Sequence, residues 1–214
     1  MRIFLTGATG FIGSHVAREL IAAGHQVLGL TRSTAGAEQL IASGAEVHFG
    51  NIEDLDSLQR GAIQADGVIH TAFNHDFSTF VANCEHDYRV IDAMGTALEG
   101  TQKPLIITSG VAMGSMGQHS LATEDNFNAD NPNPRRATEL AGLAVAQRGV
   151  HVSVVRLPQV HDTNKQGLIT PLIELARQKG VSGYVEEAQN RWSAVHVSDV
   201  AAVYLRALEN TIPN

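Results

Sequence analysis

The sequence predicts an α/β protein built on a doubly wound parallel sheet, and three observations support this. Short apolar segments alternate with longer segments of helical period, as in successive βαβ units. A glycine-rich turn separates the first apolar segment from the first helical one. The 214 residues are 43% hydrophobic and 17% charged, which excludes a disordered chain and allows one substantial core.

Six segments are predicted to form the strands of the sheet. Each is short, mainly apolar and separated from the next by a longer stretch. They are Ile3–Thr6, Gln26–Leu30, Glu46–Phe49, Gly67–Thr71, Leu105–Thr108 and Val152–Leu157. Parallel strands are joined through helices, so helices are expected to cover both faces of the sheet.

The helices are predicted from apolar periodicity and from the residues that flank them. Over residues 11–23 five apolar side chains fall on one helical face, and Gly24 follows as a stop. Further helices are predicted over residues 136–147, 170–179 and 199–208. Gly149 and Gly180 end two of them, and Ser198 is expected to cap the last one.

The most loop-like stretch of the chain, Gly114–Pro134, follows the fifth strand. Ligands of open α/β sheets bind beyond the carboxyl ends of the strands. The stretch is therefore either a substrate lid or a tolerated surface insertion.

A turn that reads Thr6-Gly7-Ala8-Thr9-Gly10-Phe11-Ile12-Gly13 stands between the first strand and the first helix. Glycines there let the backbone turn tightly, approach a diphosphate without a Cβ atom in the way, and pack the helix closely on the sheet. The helix N-terminus also offers unpaired N–H groups to negative charge. We therefore expect a dinucleotide diphosphate at this turn, contacted by Gly7, Thr9, Gly10, Phe11, Ile12 and Gly13.

The G-x-x-G-x-x-G spacing resembles that of the short-chain dehydrogenase/reductase superfamily, especially its extended branch of NAD-dependent epimerases, dehydratases and related reductases. Residues 66–72, 107–110, 154–158 and 194–201 are similar to later strand segments of that branch, so the resemblance covers nearly the whole chain. It implies a Rossmann fold and a single NAD(P)-binding domain over residues 1–214. Residues from about 158 onward would form a minimal substrate-side lobe, although extended members usually continue further, so the chain is either minimal or incomplete.

The end of the second strand predicts NADP(H) rather than NAD(H). An acidic residue there would bind the ribose diol and exclude a 2′-phosphate, but the sequence reads Thr31-Arg32-Ser33 without a carboxylate. Arg32 can pair with a phosphate through its planar fork, and Thr31 and Ser33 can add hydroxyl donors. The alternative is a solvated arginine that follows a strand.

The resemblance implies further cofactor contacts after the third and fourth strands. Asn51 and Ile52 stand where the family commonly has an aspartate that binds the adenine amino group, and Asn51 keeps an acceptor oxygen. Thr71, Ala72 and Phe73 would line the cofactor, with Ala72 small enough to allow close approach.

The catalytic residues that the resemblance implies are a serine and a Tyr-x-x-x-Lys pair. Ser109 matches the serine position at the end of the fifth strand, although it also fits an ordinary strand-end hydroxyl. The tyrosines are Tyr88, Tyr184 and Tyr204, and none has a lysine four residues later. This absence places the chain among atypical members and leaves a reductase without its usual proton donor.

Two residues are candidates to replace the missing pair. When Glu139 is aligned with the glutamate that often follows the family motif, Asn131 takes the tyrosine position and Arg135 the lysine position. Arg135 can hold a ribose hydroxyl but does not release its proton at neutral pH. His161, just beyond the sixth strand, is the leading proton donor, because imidazole titrates near neutrality. The alternative is an ordinary loop histidine.

Two functions remain open at this point. The first is an NADP(H)-dependent oxidoreductase that acts on a small carbonyl or alcohol, with Ser109 polarising the oxygen and Phe73, Met113, His161 and Trp192 near the substrate. The second is a non-catalytic NADP(H)-binding regulator or redox sensor. The missing tyrosine favours the second function, and the retained serine with its adjoining loop favours the first.

Composition excludes several other classes of protein. The net charge of −7 and the scattered lysines and arginines argue against a nucleic-acid partner. No apolar stretch is long enough to suggest a membrane span, and the spacing of the histidines fits no metal site. Cys84 is the one cysteine, so a reducing compartment and a cytoplasmic location are expected. A homodimer is expected from the resemblance alone.

Overall fold

The structure is a computed structural model, and it describes residues 1–116, 121–189 and 191–210. Strands and helices alternate through the first three quarters of the chain. In order they are β1 Arg2–Thr6, α1 Phe11–Ala22, β2 Gln26–Thr31, α2 Thr34–Ala42, β3 Glu46–Phe49, α3 Leu55–Ile63, β4 Gly67–His70, α4 Phe80–Leu98, β5 Pro104–Gly110, α5 Arg136–Ala146 and β6 His151–Leu157. There follow β7 Gln159–His161, α6 Thr170–Lys179, β8 Ala194–His196 and α7 Val197–Glu209.

Strands β1 to β6 form one parallel sheet in the order β3-β2-β1-β4-β5-β6. All six predicted strands are confirmed, with ends that differ by no more than two residues. This order is that of the Rossmann fold, and it reverses between β1 and β4. Leu5 at the centre of the sheet pairs with Gly29 on one side and with Ile69 on the other. The loops after β1 and β4 therefore flank the crevice in which this fold binds its ligands.

Helices cover both faces of the sheet, as a doubly wound fold requires. Buried side chains of α1, α2 and α7 pack on one face, among them Val16, Leu40 and Tyr204. Buried side chains of α3, α4 and α5 pack on the other face, among them Leu58 and Met94. The predicted fold class is confirmed.

The start of α7 differs from the prediction. The helix begins at Val197, and its N-cap is His196 rather than Ser198. The Nδ1 atom of His196 accepts a hydrogen bond from the Ser198 backbone N–H at 3.3 Å and also lies 2.8 Å from the Ser198 hydroxyl. An imidazole nitrogen thus takes the place of the usual capping oxygen. His196 itself is exposed.

Two short strands after β6 form a second sheet beside the carboxyl edge of the main sheet. Strands β7 and β8 pair in parallel, with His161 opposite His196. Helix α6 has no buried residue and ends at Gly180, whose φ is +67°. Within the part of the chain that the structure describes, no helix combines the length and the apolar character needed to cross a bilayer.

Candidate functional site

The glycine turn after β1 packs directly on the end of β4. Gly7 has a φ of +70°, and a Cβ atom there would lie 2.7 Å from the Thr71 hydroxyl oxygen and 2.8 Å from the Ala72 backbone nitrogen. A Cβ atom on Gly13 would lie 2.1 Å from the Gly7 carbonyl oxygen. Only glycine fits these two positions, so the turn brings the first helical turn of α1 against the crevice between β1 and β4.

The same turn leaves backbone donors free. Gly10 is the N-cap of α1, and its N–H donates to the Gly7 carbonyl oxygen at 2.8 Å. The next three N–H groups, those of Phe11, Ile12 and Gly13, have no acceptor among the described residues. Free N–H groups at a helix start bind anions, so the turn fits the diphosphate of a dinucleotide.

A depression of about 410 Å³ opens beside this turn, lined by Thr9, Gly10, Phe11, Asp162 and Lys165 among others. The Lys165 ammonium group lies 5.8 Å from the centre of the Phe11 ring. It thereby brings a positive charge to the turn from a loop more than 150 residues away. Lys165 was not predicted as a site residue, because a lysine in an irregular loop carries no local signal.

Arg32 lies at the predicted place, after β2 at the carboxyl edge of the sheet. Its side chain is exposed and has no hydrogen-bond or ionic partner among the described residues. Ser33 caps α2, and its hydroxyl oxygen accepts a hydrogen bond from the Gly36 N–H at 3.1 Å, which leaves the hydroxyl proton free. Thr31 is different, because it is buried and its hydroxyl bonds within the turn to both the N–H and the carbonyl oxygen of Ser33. Arg32 and Ser33 are therefore the donors available to a phosphate, and Thr31 is not.

Asn51 also has a local role that the sequence did not suggest. Its side-chain oxygen accepts hydrogen bonds from the backbone N–H groups of Glu53 at 2.7 Å and Asp54 at 3.0 Å. The acceptor that the resemblance assigned to adenine is therefore already occupied twice. Ile52 and Phe73 line a neighbouring cavity of about 210 Å³ between α4 and the loops after β3 and β4.

Ser109 lies near the end of β5 with its hydroxyl unused. The residue is 4% exposed, and its Oγ atom has no hydrogen-bond partner among the described residues. A buried hydroxyl without a partner is uncommon in folded proteins and indicates a place for a ligand. The sequence prediction put a substrate oxygen at this position.

Arg135 is held beside Ser109 by contacts on several sides. Its Nη1 atom donates to the Asp87 carboxylate at 2.8 Å and to the Thr138 hydroxyl at 2.7 Å. Its Nη2 atom donates at 3.1 Å to the carbonyl oxygen of Thr108, in the peptide that leads to Ser109. The guanidinium carbon lies 3.8 Å from the centre of the Phe73 ring, a cation–π contact.

Asp87 is the centre of this network. One carboxylate oxygen lies 3.0 Å from Nε2 of His70, and the other accepts from the Thr138 hydroxyl at 2.5 Å as well as from Arg135. Burial alone would raise the pKa of Asp87, but the hydrogen bond and charge of His70, together with Arg135 and Thr138, outweigh it and lower the pKa. Nδ1 of His70 lies 2.7 Å from the hydroxyl of Thr6, the last residue of β1.

Asp87, Thr138 and His70, all buried, were not predicted as site residues. One signal was present. Asp87 shares the apolar face of α4 with Cys84, Ile91 and Met94, all of them buried at helical spacing. A carboxylate on such a face needs a buried partner, which an analysis of the glycine turn and strand ends alone does not reveal.

The remaining predicted residues differ in how far they are buried. The His161 ring is half-buried and packs edge-on against the His196 ring at 5.8 Å. Met113 is buried in the short turn after β5, whereas Trp192 is 71% exposed. Of the predicted loop, residues 117–120 lie outside the described residues. Arg156 holds a later part of it, because its Nη1 atom donates to the Thr123 carbonyl oxygen at 2.9 Å.

The three tyrosines lie in three different surroundings. The Tyr204 side chain is fully buried, and its hydroxyl bonds to that of Thr108 at 2.5 Å. Tyr88 is half-buried on α4, and Tyr184 is 75% exposed. Over the three described ranges, no three His, Cys, Asp or Glu side chains are grouped to hold a metal ion.

Comparisons with known proteins agree with this geometry. The sequence model of the NAD dependent epimerase/dehydratase family matches residues 3–214. Uncharacterized proteins of Schizosaccharomyces pombe and Saccharomyces cerevisiae are 47% and 39% identical, and each alignment spans 98% of this chain and 71% of the relative. The UDP-glucose 4-epimerase of Thermus thermophilus, solved in complex with NAD, has a TM-score of 0.74 at 21% identity over 97% of this chain and 74% of its own. With its family sequence pattern, its Rossmann sheet and its glycine turn, this chain belongs to the NAD dependent epimerase/dehydratase family.

Proposed function

We propose that the protein is an NADP(H)-dependent oxidoreductase that acts on a small carbonyl or alcohol substrate. The observation that carries this proposal is the crevice between β1 and β4. Three N–H groups of the glycine turn lie on one side of it and the Ser109 hydroxyl lies at the end of β5 on the other, all of them without partners among the described residues. The NAD bound by the Thermus thermophilus relative on the same fold supports a nicotinamide dinucleotide in this crevice.

The residues divide into two groups along the crevice. The N–H groups of Phe11, Ile12 and Gly13 bind the diphosphate, and Lys165 adds a positive charge beside them. At the other end, Ser109 donates a hydrogen bond to the substrate oxygen. The nicotinamide, when bound, supplies or accepts the hydride.

The preference for the phosphorylated cofactor rests on Arg32 and Ser33. Arg32 is an exposed cation without a partner in the described structure, and no carboxylate follows β2 to repel a phosphate. A charge-assisted hydrogen bond is worth roughly 1.5–3 kcal/mol, which corresponds to about a ten- to hundredfold preference for NADP(H).

His161 is the proposed proton donor to the substrate oxygen. It ends β7, which is separated from the carboxyl end of β6 by one residue. The next residue, Asp162, lines the depression at the glycine turn together with Thr9 and Gly10. This position beside the carboxyl edge of the sheet supports His161 as a ligand contact. An imidazole N–H can donate to the substrate oxygen in place of the tyrosine.

A second function is favoured by the missing Tyr-Lys pair. A protein that binds NADP(H) without transferring hydride needs the glycine turn and Arg32 but neither His161 nor Ser109. Tyr204 does not replace the missing tyrosine, because its side chain is fully buried and its hydroxyl bonds to that of Thr108. A non-catalytic regulator or redox sensor is therefore the alternative.

The first experiment is calorimetric titration of the protein with NADPH and with NADH, repeated on Arg32→Ala. Arg177→Ala, which removes an exposed arginine from α6, is the control for loss of charge. We expect tighter binding of NADPH, and loss of that difference only in Arg32→Ala. Binding of neither nucleotide would refute both functions, and equal binding of the two would refute the NADP(H) preference.

The second experiment separates the enzyme from the regulator. NADPH oxidation is followed at 340 nm with a panel of aliphatic and aromatic aldehydes and ketones, for the wild type and for Ser109→Ala. Turnover that Ser109→Ala removes while NADPH still binds supports the oxidoreductase. NADPH binding without turnover on any carbonyl in the panel favours the regulator.

We also propose a cytoplasmic location. Cys84 is buried on α4, and burial raises the pKa of its thiol. A single, unreactive thiol fits a reducing compartment, where structural disulfides are rare. Localisation of a fluorescent fusion in the source cell tests this.

A further inference from the structure

We propose that Asp87 is a positioning residue of the cofactor site: with His70 and Thr138 it fixes the guanidinium of Arg135, whose remaining N–H groups bind the ribose on the nicotinamide side. The inference rests on the proposed function, because it assumes that a nicotinamide dinucleotide occupies the crevice. It assigns a positioning role to three buried residues outside the glycine turn.

The network crosses the point at which the strand order reverses. Thr6 ends β1 immediately before the glycine turn, and its hydroxyl bonds to His70 at the end of β4. His70 bonds to Asp87 of α4, and Asp87 bonds to Arg135 at the start of α5. One continuous chain of hydrogen bonds therefore joins the phosphate end of the crevice to the end that contains Ser109.

Arg135 is fixed with part of its donor capacity unused. A guanidinium has five N–H donors, and three of them bond to Asp87, Thr138 and Thr108. The N–H on Nε and one N–H on Nη2 have no acceptor among the described residues. The side chain is 16% exposed, and one face of the guanidinium lies on the Phe73 ring. Two donors on an immobile, partly buried cation are suited to a pair of ribose hydroxyls.

An independent observation indicates a ligand at this end of the crevice. The Ser109 hydroxyl is buried without a partner among the described residues, and Ser109 directly follows Thr108, whose carbonyl oxygen accepts from Arg135. The unused hydroxyl and the guanidinium with its unused donors are thus both linked to the end of β5. A ligand that presents oxygen atoms here satisfies both side chains.

The order of the strands decides which half of the dinucleotide is concerned. Arg32 follows β2, and the proposed function puts the 2′-phosphate of the adenosine half there. Strand β5 lies on the opposite side of β1 from β2. An extended dinucleotide that passes the glycine turn therefore brings its nicotinamide half to Arg135.

The arrangement of charge argues for a positioning role rather than for stability alone. Both oxygens of Asp87 are used, and its side chain is 4% exposed. A buried ion pair usually gives little net stability compared with well-packed apolar residues. It does, however, hold a guanidinium in one orientation, as recognition of a planar set of acceptors requires.

The test compares a whole cofactor with its adenosine half. Affinities for NADPH and for 2′,5′-ADP, which lacks the nicotinamide half, are measured by calorimetry. We expect Arg135→Met to weaken NADPH binding by roughly tenfold or more and Asp87→Asn to weaken it by several-fold. Binding of 2′,5′-ADP should stay within about twofold of the wild type in both variants. If the wild type prefers NADH, then NADH and ADP are the matched pair.

Three further variants separate positioning from folding. Asp92→Asn removes an exposed carboxylate from the same helix and should change neither affinity. Arg135→Lys should recover part of the NADPH affinity, and Thr138→Val should reproduce part of the loss even if Asp87→Asn does not fold.

The outcomes that overturn the inference differ from those that overturn the proposed function. Equal NADPH affinity in the wild type and Arg135→Met overturns the inference alone. An equal loss for NADPH and 2′,5′-ADP shows that the network is merely structural, and so overturns it too. A wild type that binds no dinucleotide overturns the proposed function, and the inference with it.

Discussion

The carboxylate of Asp87 and the guanidinium of Arg135 form an ion pair with an N–O distance of 2.8 Å, and their side chains are only 4% and 16% exposed. Asp87 belongs to α4, and Arg135 is the N-cap residue of α5. The pair therefore joins two helices on one face of the sheet. Its strength and its pH dependence can be tested without any knowledge of the substrate.

Asp87→Asn should lower the free energy of unfolding by roughly 3 kcal/mol, because it leaves a partly buried guanidinium without its counter-charge. Asp92 lies on the same helix as Asp87 and forms a more exposed ion pair with Arg148. Asp92→Asn makes the same chemical change there and should cost at most about 1 kcal/mol. Urea denaturation followed by circular dichroism measures both. Similar losses for the two variants would contradict a special role for the buried pair.

Acid should destabilise the protein through Asp87. The pKa of Asp87 is lowered in the folded state below its ordinary value of 3.8, despite the opposing effect of burial. Its contribution is therefore fully present above that value and is lost as the pH falls through the lower, folded-state pKa. Urea midpoints measured from pH 5 downward should fall more steeply below about pH 4 in the wild type than in Asp87→Asn. Parallel curves would contradict this.

The fold and the geometry of the glycine turn could be predicted because their signals are local. Each strand is a short apolar segment, and the glycine turn carries its geometry in the spacing of Gly7, Gly10 and Gly13. The predicted position of Arg32 after β2 likewise needed only the end of one strand. Chemistry that depends on neighbours in sequence is visible in the sequence.

The other end of the site depends on contacts between distant residues. Asp87 and Arg135 are separated by 48 positions, and Thr6 and His70 by 64. No spacing rule joins them, because the parallel sheet and its helices bring them together only after folding. The N-cap of α7 was missed for a different reason, since His196 is outside the small set of residues that usually cap helices.

The two glycines Gly13 and Gly24 should respond very differently to alanine. At Gly13 the new Cβ atom would meet the Gly7 carbonyl oxygen at 2.1 Å, so the turn must open and dinucleotide binding should be lost. At Gly24 the φ is +87° but no atom lies within 4 Å, so Gly24→Ala should cost only about 1–2 kcal/mol of backbone strain.

Calorimetry with NADPH and urea denaturation test this pair of variants. Gly24→Ala should bind like the wild type. Wild-type binding in a folded Gly13→Ala would show that the turn is not the phosphate site.

Tyr204 should be dispensable for function although it is the most deeply placed tyrosine. Burial raises the pKa of its phenol, against the smaller opposing effects of Thr108 and Arg135, so it is a poor proton donor near neutral pH. Its hydroxyl bonds to that of Thr108, which in turn donates to the His70 carbonyl oxygen at 2.6 Å. Tyr204→Phe should therefore remove one hydrogen bond, lower the free energy of unfolding by about 1 kcal/mol, and leave NADPH affinity and any turnover within twofold.

Tyr184→Phe, at an exposed site, is the matched control and should change stability by less than about 0.5 kcal/mol. Turnover that disappears in a folded Tyr204→Phe with normal NADPH affinity would make Tyr204 the missing tyrosine. That outcome would require α7 to move away from β5, because the phenol now lies fully buried between them. Retained turnover would instead leave His161 as the proton donor to test next, through the loss of turnover expected in a folded His161→Gln with normal NADPH affinity.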